Sequence, residues 1–384
     1  MADPVQQRSR EDSFGVYIHV PFCASRCGYC DFNTYTPREV DTSHSQYLTA
    51  LRQELELAAQ SPLTADFGPA DTVFIGGGTP SVLGADGLNH ILQLVRDTLG
   101  VAPGAEVTTE SNPESTSSAY FEQLVAGGFT RVSLGMQSAS TPVLQVLDRR
   151  HTPGRATAAA REAHEAGFAH INLDMIYGTP TETDDDVRAT LESILSTPVD
   201  HVSAYSLIVE DGTAMARKIR RGELPAPDDD VDARRYELIA DTLESHGFDW
   251  YEVSNWAKPG GECRHNLLYW RGGNWWGAGP GAHSTISDTR FFHVKRPERY
   301  AAMLADGALP IDGTEELTDD IRHVEHVMLG LRLREGIERG AVEGGVDKHV
   351  RAGTLTAGER IAVTNKGRLL VDAIVTDLLT QSDA

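Results

Sequence analysis

Apolar and polar positions follow two rhythms along the first two-thirds of the chain. Short β-rich runs at residues 15–20, 72–75, 106–109, 131–134, 171–176 and 201–207 are bounded by turn residues and predict strands. Between them apolar residues recur every three or four positions, the spacing of one helix face. Tyr47, Leu48, Leu51, Leu55 and Ala58 make such a stripe within 43–59, and Leu88, Ile91, Leu92 and Val95 make another within 86–99. Further helices are predicted at 117–126, 154–166 and 184–196, with Gly127, Gly128, Gly167 and Gly247 where helix C-caps are expected.

A repeating strand–helix order implies parallel strands joined by right-handed crossovers. Six such units predict an α/β fold, an incomplete TIM-like (β/α)6 barrel, since a closed barrel has eight. A Pro/Asp-rich stretch at 224–230 breaks the pattern. A helix at 232–246 follows, then a Gly- and Trp-rich irregular stretch over 251–284 holding Trp256, Trp270, Trp275 and Trp276, with Trp250 just before it. From about 315 the order is helix, turn, helix, a β-like turn at 360–366 and a final helix, as in a small winged-helix module. The expected organisation is a polar tail over 1–14, the partial barrel over 15–225, a Trp/Gly-rich extension over 226–312 and a mostly helical, winged-helix-like region over 313–384.

Charge narrows the partners. The chain has 384 residues, 34 Lys and Arg against 56 Asp and Glu, and a net charge of −22. Such a surface repels phosphate backbones and anionic lipid, so no nucleic acid is expected as a partner. The winged-helix-like tail does not alter this, because from 315 onward it carries nine Lys and Arg against thirteen Asp and Glu. A packing or lid role is expected of it instead. No apolar run approaches the ~20 residues of a membrane helix, so no stable membrane insertion is expected. The first thirteen residues lack the apolar stretch of a secretory signal, which points to the cytoplasm.

Three of the four cysteines, Cys23, Cys27 and Cys30, fall within eight residues, with Cys263 far away. A disulfide framework would be spread more evenly, so the cluster reads as metal-ligating. Three thiolates at CxxxCxxC spacing can hold three irons of a [4Fe–4S] cube and leave the fourth iron open to an outside ligand. A zinc site would need a fourth ligand, for which His19 is the nearby candidate. Unrelated buried thiols are the remaining alternative.

The other distinctive segments each follow a predicted strand. Gly76-Gly77-Gly78-Thr79-Pro80 follows 72–75, and Glu110-Ser-Asn-Pro follows 106–109. Gly135-Met-Gln137-Ser follows 131–134, and Asp174-Met-Ile-Tyr-Gly-Thr-Pro closes the strand at 171–176. In a parallel α/β barrel the strand C-termini form the functional face, so these loops should converge on one site. The glycines fit neither dinucleotide nor P-loop spacing and would let backbone approach a ligand closely. Taken singly, each of these segments also reads as a tight turn, a helix cap or an ion pair.

CxxxCxxC after the first strand resembles the radical S-adenosylmethionine (SAM) superfamily, in which SAM chelates the open iron. YIHVPFCxxxCxYCDF, GGGTPS, ExNP, GxQS, an Arg-His step and DxIYGxP, in this order, resemble the coproporphyrinogen III dehydrogenases and their close relatives, the HemW proteins, over nearly the whole chain. The resemblance implies that Gly77, Gly78 and Thr79 hold the methionyl part of SAM, that Glu110, Gln137, Arg149 and Asp174 line the same site, and that Tyr17 lies against the cofactor.

Two features separate the relatives. The dehydrogenases typically carry a further Cys where this chain has Phe32, and a long N-terminal extension where it has sixteen residues before Tyr17. The segment Cys263-Arg-His265-Asn266-Leu-Leu-Tyr269-Trp270 resembles the HNxxYW segment of HemW proteins. That likeness implies haem as a ligand, His265 as a haem-binding residue, haem-accepting apoproteins as partners and a possible homodimer. The alternatives are oxidative decarboxylation of coproporphyrinogen propionates, or another radical SAM activity. A histidine bonded within a tight loop is the structural reading of His265, and an inert buried thiol that of Cys263.

Overall fold

The computed structural model describes residues 13–149 and 151–380, so nearly all of the expected tail at 1–14 lies outside the described residues. Strands β1 (Phe14–Val20), β2 (Ala70–Gly77), β3 (Val101–Ser111), β4 (Arg131–Gln137), β5 (His170–Tyr177) and β6 (His201–Ser206) lie side by side in chain order, all parallel. Helices α1 (His44–Ala59), α2 (Gly84–Thr98), α3 (Ser118–Gly127), α4 (Thr141–Val146), α5 (Arg155–Ala166) and α6 (Asp184–Leu195) lie in the crossovers, and α7 (Ala214–Arg220) and α8 (Asp229–Ser245) follow β6.

Local chemistry marks the ends of these elements. Ser43 and Thr183 close capping boxes at the starts of α1 and α6, each accepting from the backbone N–H three residues on. Gly128 ends α3 with φ +100°, a conformation glycine adopts without Cβ strain. The Pro/Asp-rich stretch ends in the cap of α8, where the Asp228 carboxylate accepts from the N–H groups of Asp230 and Val231. Along β1 the side chains of Phe14, Val16, Ile18 and Val20 are all buried, and the stripe on α1 puts Leu51 and Leu55 fully inside. Burying each such leucine contributes about 1.5–3 kcal/mol.

The stretch over 251–284 is not irregular. β7 (Asp249–Glu252) and β8 (Asn255–Ala257) form an antiparallel pair that β8 attaches to β6. After α9 (Arg264–Trp270), β9 (Asn274–Ala278) crosses to the other side and pairs parallel with β1. β10 (His283–Ile286), β11 (Thr289–His293) and, after α10 (Pro297–Ala305), β12 (Ile311–Glu316) extend that side antiparallel. The result is one open twelve-stranded sheet with β12 and β7 at its edges. β7 to β11 are only three to five residues long, too short to display a period of two. Trp250, Trp256 and Trp276 are core residues of this added sheet.

The last segment contains α11 (Asp319–Gly330), α12 (Val346–Ala352) and α13 (Val371–Thr380), with β13 (Ile337–Glu338) and β14 (Arg360–Ile361) paired antiparallel. Its apolar residues Val327, Leu331 and Ile374 join the main core. Among the described residues no helix is long and apolar enough to cross a membrane.

Candidate functional site

Because β1 to β6 are parallel, the loops after them emerge at one end of the sheet. The loop after β1 carries Cys23, Cys27 and Cys30, all free and all partly exposed. It is tied down at both ends: Cys23 N–H donates to Tyr35 O at 2.9 Å, and Gly28 N–H donates to Leu147 O at 3.1 Å. A Cβ at Gly28 would lie 2.4 Å from the Asp148 carboxylate, so this loop packs closely on the turn after α4. Burial pushes the Cys23 and Cys30 thiols up, and the nearby Cys27 adds to this at both. Thiols of this kind must lose protons on taking up metal, so loading the site releases protons.

His19 does not complete a zinc site. Its Nδ1 lies 3.0 Å from the Tyr17 hydroxyl and its Nε2 2.9 Å from Asn33 O, so both ring nitrogens are engaged. Among the described residues no three His, Cys, Asp or Glu side chains converge as ligands of a single metal ion. Three half-exposed thiols on one anchored loop, with no fourth ligand beside them, fit a four-iron cube with one open corner.

The glycine run does its work internally. Gly77 N–H donates to Glu110 Oε2 at 3.0 Å, Gly78 N–H to Val20 O at 2.8 Å and Thr79 N–H to Phe22 O at 2.8 Å. These three N–H groups are therefore engaged within the chain. Gly77 has φ +109°, and a Cβ there would lie 2.6 Å from the His19 ring; at Gly78 it would lie 2.5 Å from Phe22 O. Only glycine lets the end of β2 close onto the cysteine loop. That closure brings the Thr79 hydroxyl to 3.6 Å from Cys23 Sγ, as a donor.

Glu110, at the end of β3, has its carboxyl pushed up to about 8 by burial and by the nearby Asp174 charge. Asp174 is also raised by burial, against the Ser133 hydroxyl at 3.1 Å and the Asn172 amide at 2.6 Å, both donating to it. Gln137 sits at a register shift in β4 with φ +67°, strain that non-glycine residues bear mainly at functional sites.

Arg149 is no solvated surface residue. Its Nη1 donates to Cys27 Sγ at 3.3 Å and its Nη2 to Gly135 O at 3.4 Å, while Nε donates to His151 Nε2 at 2.9 Å. Burial opposes its charge, but Cys27, Tyr29 and Asp174 outweigh that and raise its pKa. His151 was not singled out from the sequence. Its acceptor role fixes the tautomer, and burial and Arg149 pull it down to about 4, so it stays neutral. Thr79 thus reaches Cys23, Arg149 reaches Cys27 and Gly135, and Gly77 reaches Glu110, whose carboxyl feels the Asp174 charge.

His265 lies elsewhere. It packs at the opposite, N-terminal end of the strands, with Nδ1 2.8 Å from Thr72 Oγ1 and Nε2 2.8 Å from the Tyr269 hydroxyl. It is 1% exposed and burial pulls it down to about 4. Its ring stacks on Phe74 at 5.3 Å and faces Tyr17 at 6.5 Å. Both imidazole nitrogens are thus engaged within the chain. The anchor beneath it was not legible: buried Glu106 pairs with buried Arg131 at 3.2 Å and accepts from the N–H groups of Arg264 and His265, each at 3.0 Å. Burial alone would raise the Glu106 carboxyl, yet Arg131 and these N–H groups hold it below the usual range. Cys263 Sγ donates to Glu106 at 3.4 Å and its thiol is pushed up by burial, the mark of an inert thiol.

Comparison with known proteins gives these features a family. Residues 17–194 match the radical SAM superfamily, which implies a [4Fe–4S] cluster and SAM. The chain is 56% identical over 95% of both lengths to the heme chaperone HemW of Mycobacterium tuberculosis, 34% identical to that of Bacillus subtilis over 84% of both, and 31% identical to that of Escherichia coli over 94% of this chain and 96% of the relative. It belongs to the HemW family of radical SAM proteins. Among solved structures, coproporphyrinogen III oxidase (HemN) from Escherichia coli superposes with a TM-score of 0.82 over 98% of this chain and 92% of its own. At 24% identity that likeness shows the fold alone.

Proposed function

We propose that this chain is a cytoplasmic haem chaperone, which binds haem and delivers it to haem-requiring apoproteins while carrying a SAM-ligated [4Fe–4S] cluster. The observation that carries the reading is 56% identity, over 95% of both chains, to a protein named for that activity. Cys23, Cys27 and Cys30 would hold three irons of the cluster, which when bound supplies an open iron and an electron donor to the sulfonium. The residues around it suit a ligand bearing both charges. Arg149 reaches from Cys27 toward Gly135 and offers a guanidinium fork to a carboxylate. Glu110 and Asp174, both held up by burial, gain stability when a cation arrives. Gln137 beside them, the Thr79 hydroxyl and the Tyr17 ring complete the wall, with Gly77 and Gly78 keeping the loop close. In this reading His265 holds α9 against β1 and β2, and haem contact would first have to break its bonds to Thr72 and Tyr269.

The test is anaerobic reconstitution with iron and sulfide, followed by two assays on one preparation. Haem titration should give a saturable absorbance change, and the loaded protein should transfer haem to an apoprotein. Incubation with coproporphyrinogen, SAM and reductant should give no protoporphyrinogen. Its formation would overturn the chaperone reading in favour of the decarboxylating enzyme.

A further inference from the structure

Alternate residues of β4, β5 and β6 put polar side chains on one face of the sheet, with Ser133 beside Asn172, Asn172 beside His201 and Asp174 beside Ser203. Ser133, Asn172, His201 and Ser203 are buried, where a polar group is costly unless it is bonded. They are bonded in series. His201 Nδ1 lies 2.7 Å from Asn172 Oδ1, and His201 Nε2 lies 2.7 Å from the hydroxyl of buried Tyr251 on β7. On one side the Asn172 amide donates to Asp174 Oδ1 at 2.6 Å; on the other, Cys263 N–H donates to the Tyr251 hydroxyl oxygen at 3.3 Å. Cys263 is the cap of α9, so the series runs from that helix start to a residue at the SAM end of the strands.

The direction of each bond is fixed from the far end. A backbone N–H can only donate, so the Tyr251 oxygen accepts from Cys263 and its own hydrogen goes to His201 Nε2. Burial, and after it the Arg131 charge, hold the His201 pKa well below the ordinary histidine value, so the ring is neutral. A neutral imidazole with a bare Nε2 carries its hydrogen on Nδ1, which therefore donates to the Asn172 carbonyl oxygen. Only the Asn172 amide nitrogen is then left to face Asp174, where the Ser133 hydroxyl also donates at 3.1 Å. Donors in series polarise one another, and each of these points toward Asp174.

We propose that His201, locked by Tyr251, is a positioning residue for the SAM site: it holds the Asn172 amide so that Asp174 meets a ligand as a hydrogen-bond acceptor in one fixed orientation. His201 and Tyr251 act through Asn172 and Asp174 rather than on the ligand itself. The inference rests on the reading that Asp174 lines the SAM site, and it makes the affinity of that site depend on a hydroxyl bonded to the cap of α9.

The test measures SAM affinity by calorimetry in the reconstituted full chain and five variants, with iron content and folding stability followed in each. His201→Phe removes two bonds and should weaken SAM binding about tenfold, whereas Tyr251→Phe removes one and should weaken it about threefold. His201→Asn keeps an N–H donor at the place of Nδ1 but leaves a cavity. It should bind SAM more tightly than His201→Phe, whichever of the two is the less stable. SAM affinity that simply follows folding stability across the variants would overturn the proposal. Glu106→Ala breaks the ion pair beneath α9 and should leave SAM affinity unchanged; weakening as large as that of Tyr251→Phe would also overturn it. Asp174→Asn separates the two readings. If it binds SAM as the parent chain does, the placing of Asp174 fails and the inference falls with it. If it binds SAM more weakly while His201→Phe and Tyr251→Phe bind as the parent does, the positioning role alone is wrong. Should His201→Phe fail to fold, Tyr251→Phe decides, since it removes a single oxygen atom.

Discussion

Two polar clusters occupy opposite ends of the same parallel strands, and they are built on opposite plans. At the C-terminal end Glu110 accepts one backbone N–H and is pushed up to about 8, Asp174 is raised beside it, and Arg149 bridges a thiol and a carbonyl. At the N-terminal end Glu106 is matched to Arg131, capped by two N–H groups and lowered in pKa, and His265 uses both ring nitrogens. Both ends contain the residue types from which sites are made. Only the first leaves charge that a ligand could satisfy. A carboxyl held above its ordinary range is waiting for a cation, whereas one held below it already has its partner. The comparison also agrees with the general division of labour in such folds, function at the strand C-termini and stability at the other end.

Breaking each cluster should therefore produce different losses. Glu106→Ala leaves Arg131 charged and buried without its partner, which should cost about 3–5 kcal/mol of folding stability in a denaturant titration. SAM affinity of the folded fraction should be unchanged. Arg149→Ala should do the reverse, weakening SAM binding by about 1.5–3 kcal/mol, roughly ten- to more than a hundredfold, at nearly unchanged stability and iron content. Should Arg149→Ala unfold the protein instead, the division between the two ends fails.

Acidity sharpens the same contrast. With its folded-state pKa near 8 against an ordinary value of 4.5, Glu110 is protonated at neutral pH in the ligand-free chain. A cationic ligand needs the ionised form and must expel that proton. SAM affinity should consequently rise with pH, by up to about tenfold per unit, and level off above about 8. By the same sign, the folded chain holds a proton that the unfolded chain has released, so Glu110 subtracts stability as pH climbs from 4.5 toward 8. Calorimetric titration at several pH values checks the first claim, and Glu110→Gln should flatten the profile. The smallest effect belongs to Cys263→Ala, which should cost about 1 kcal/mol or less and leave iron content unchanged.

How much of this could be read from the sequence follows from the same physics. The six strand–helix units were legible because helices such as α1 and α2 are long enough to show their apolar stripe. The added strands were not, since β8 has three residues and β9 finds its partner, β1, more than two hundred positions away. The residues at the strand C-termini stood out as polar or glycine-rich loops after apolar runs. Glu106 and Arg131 gave no such signal, because their pairing exists only once β3 and β4 lie side by side. His151 was hidden for a similar reason, its role being to accept a bond from the residue two positions before it. The likeness at His265 carried the residue types but not their partners, since the bonds to Thr72 and Tyr269 exist only once α9 packs against β2.

The central claim is that Cys23, Cys27 and Cys30 hold a four-iron cluster with one corner open to SAM. Electron paramagnetic resonance of the anaerobically reconstituted and reduced chain, recorded before and after adding SAM, tests it most directly. The account predicts a reduced [4Fe–4S] signal that changes shape when SAM is added and is absent in Cys27→Ala. A spectrum unaltered by SAM, or bound zinc in place of iron, would contradict it.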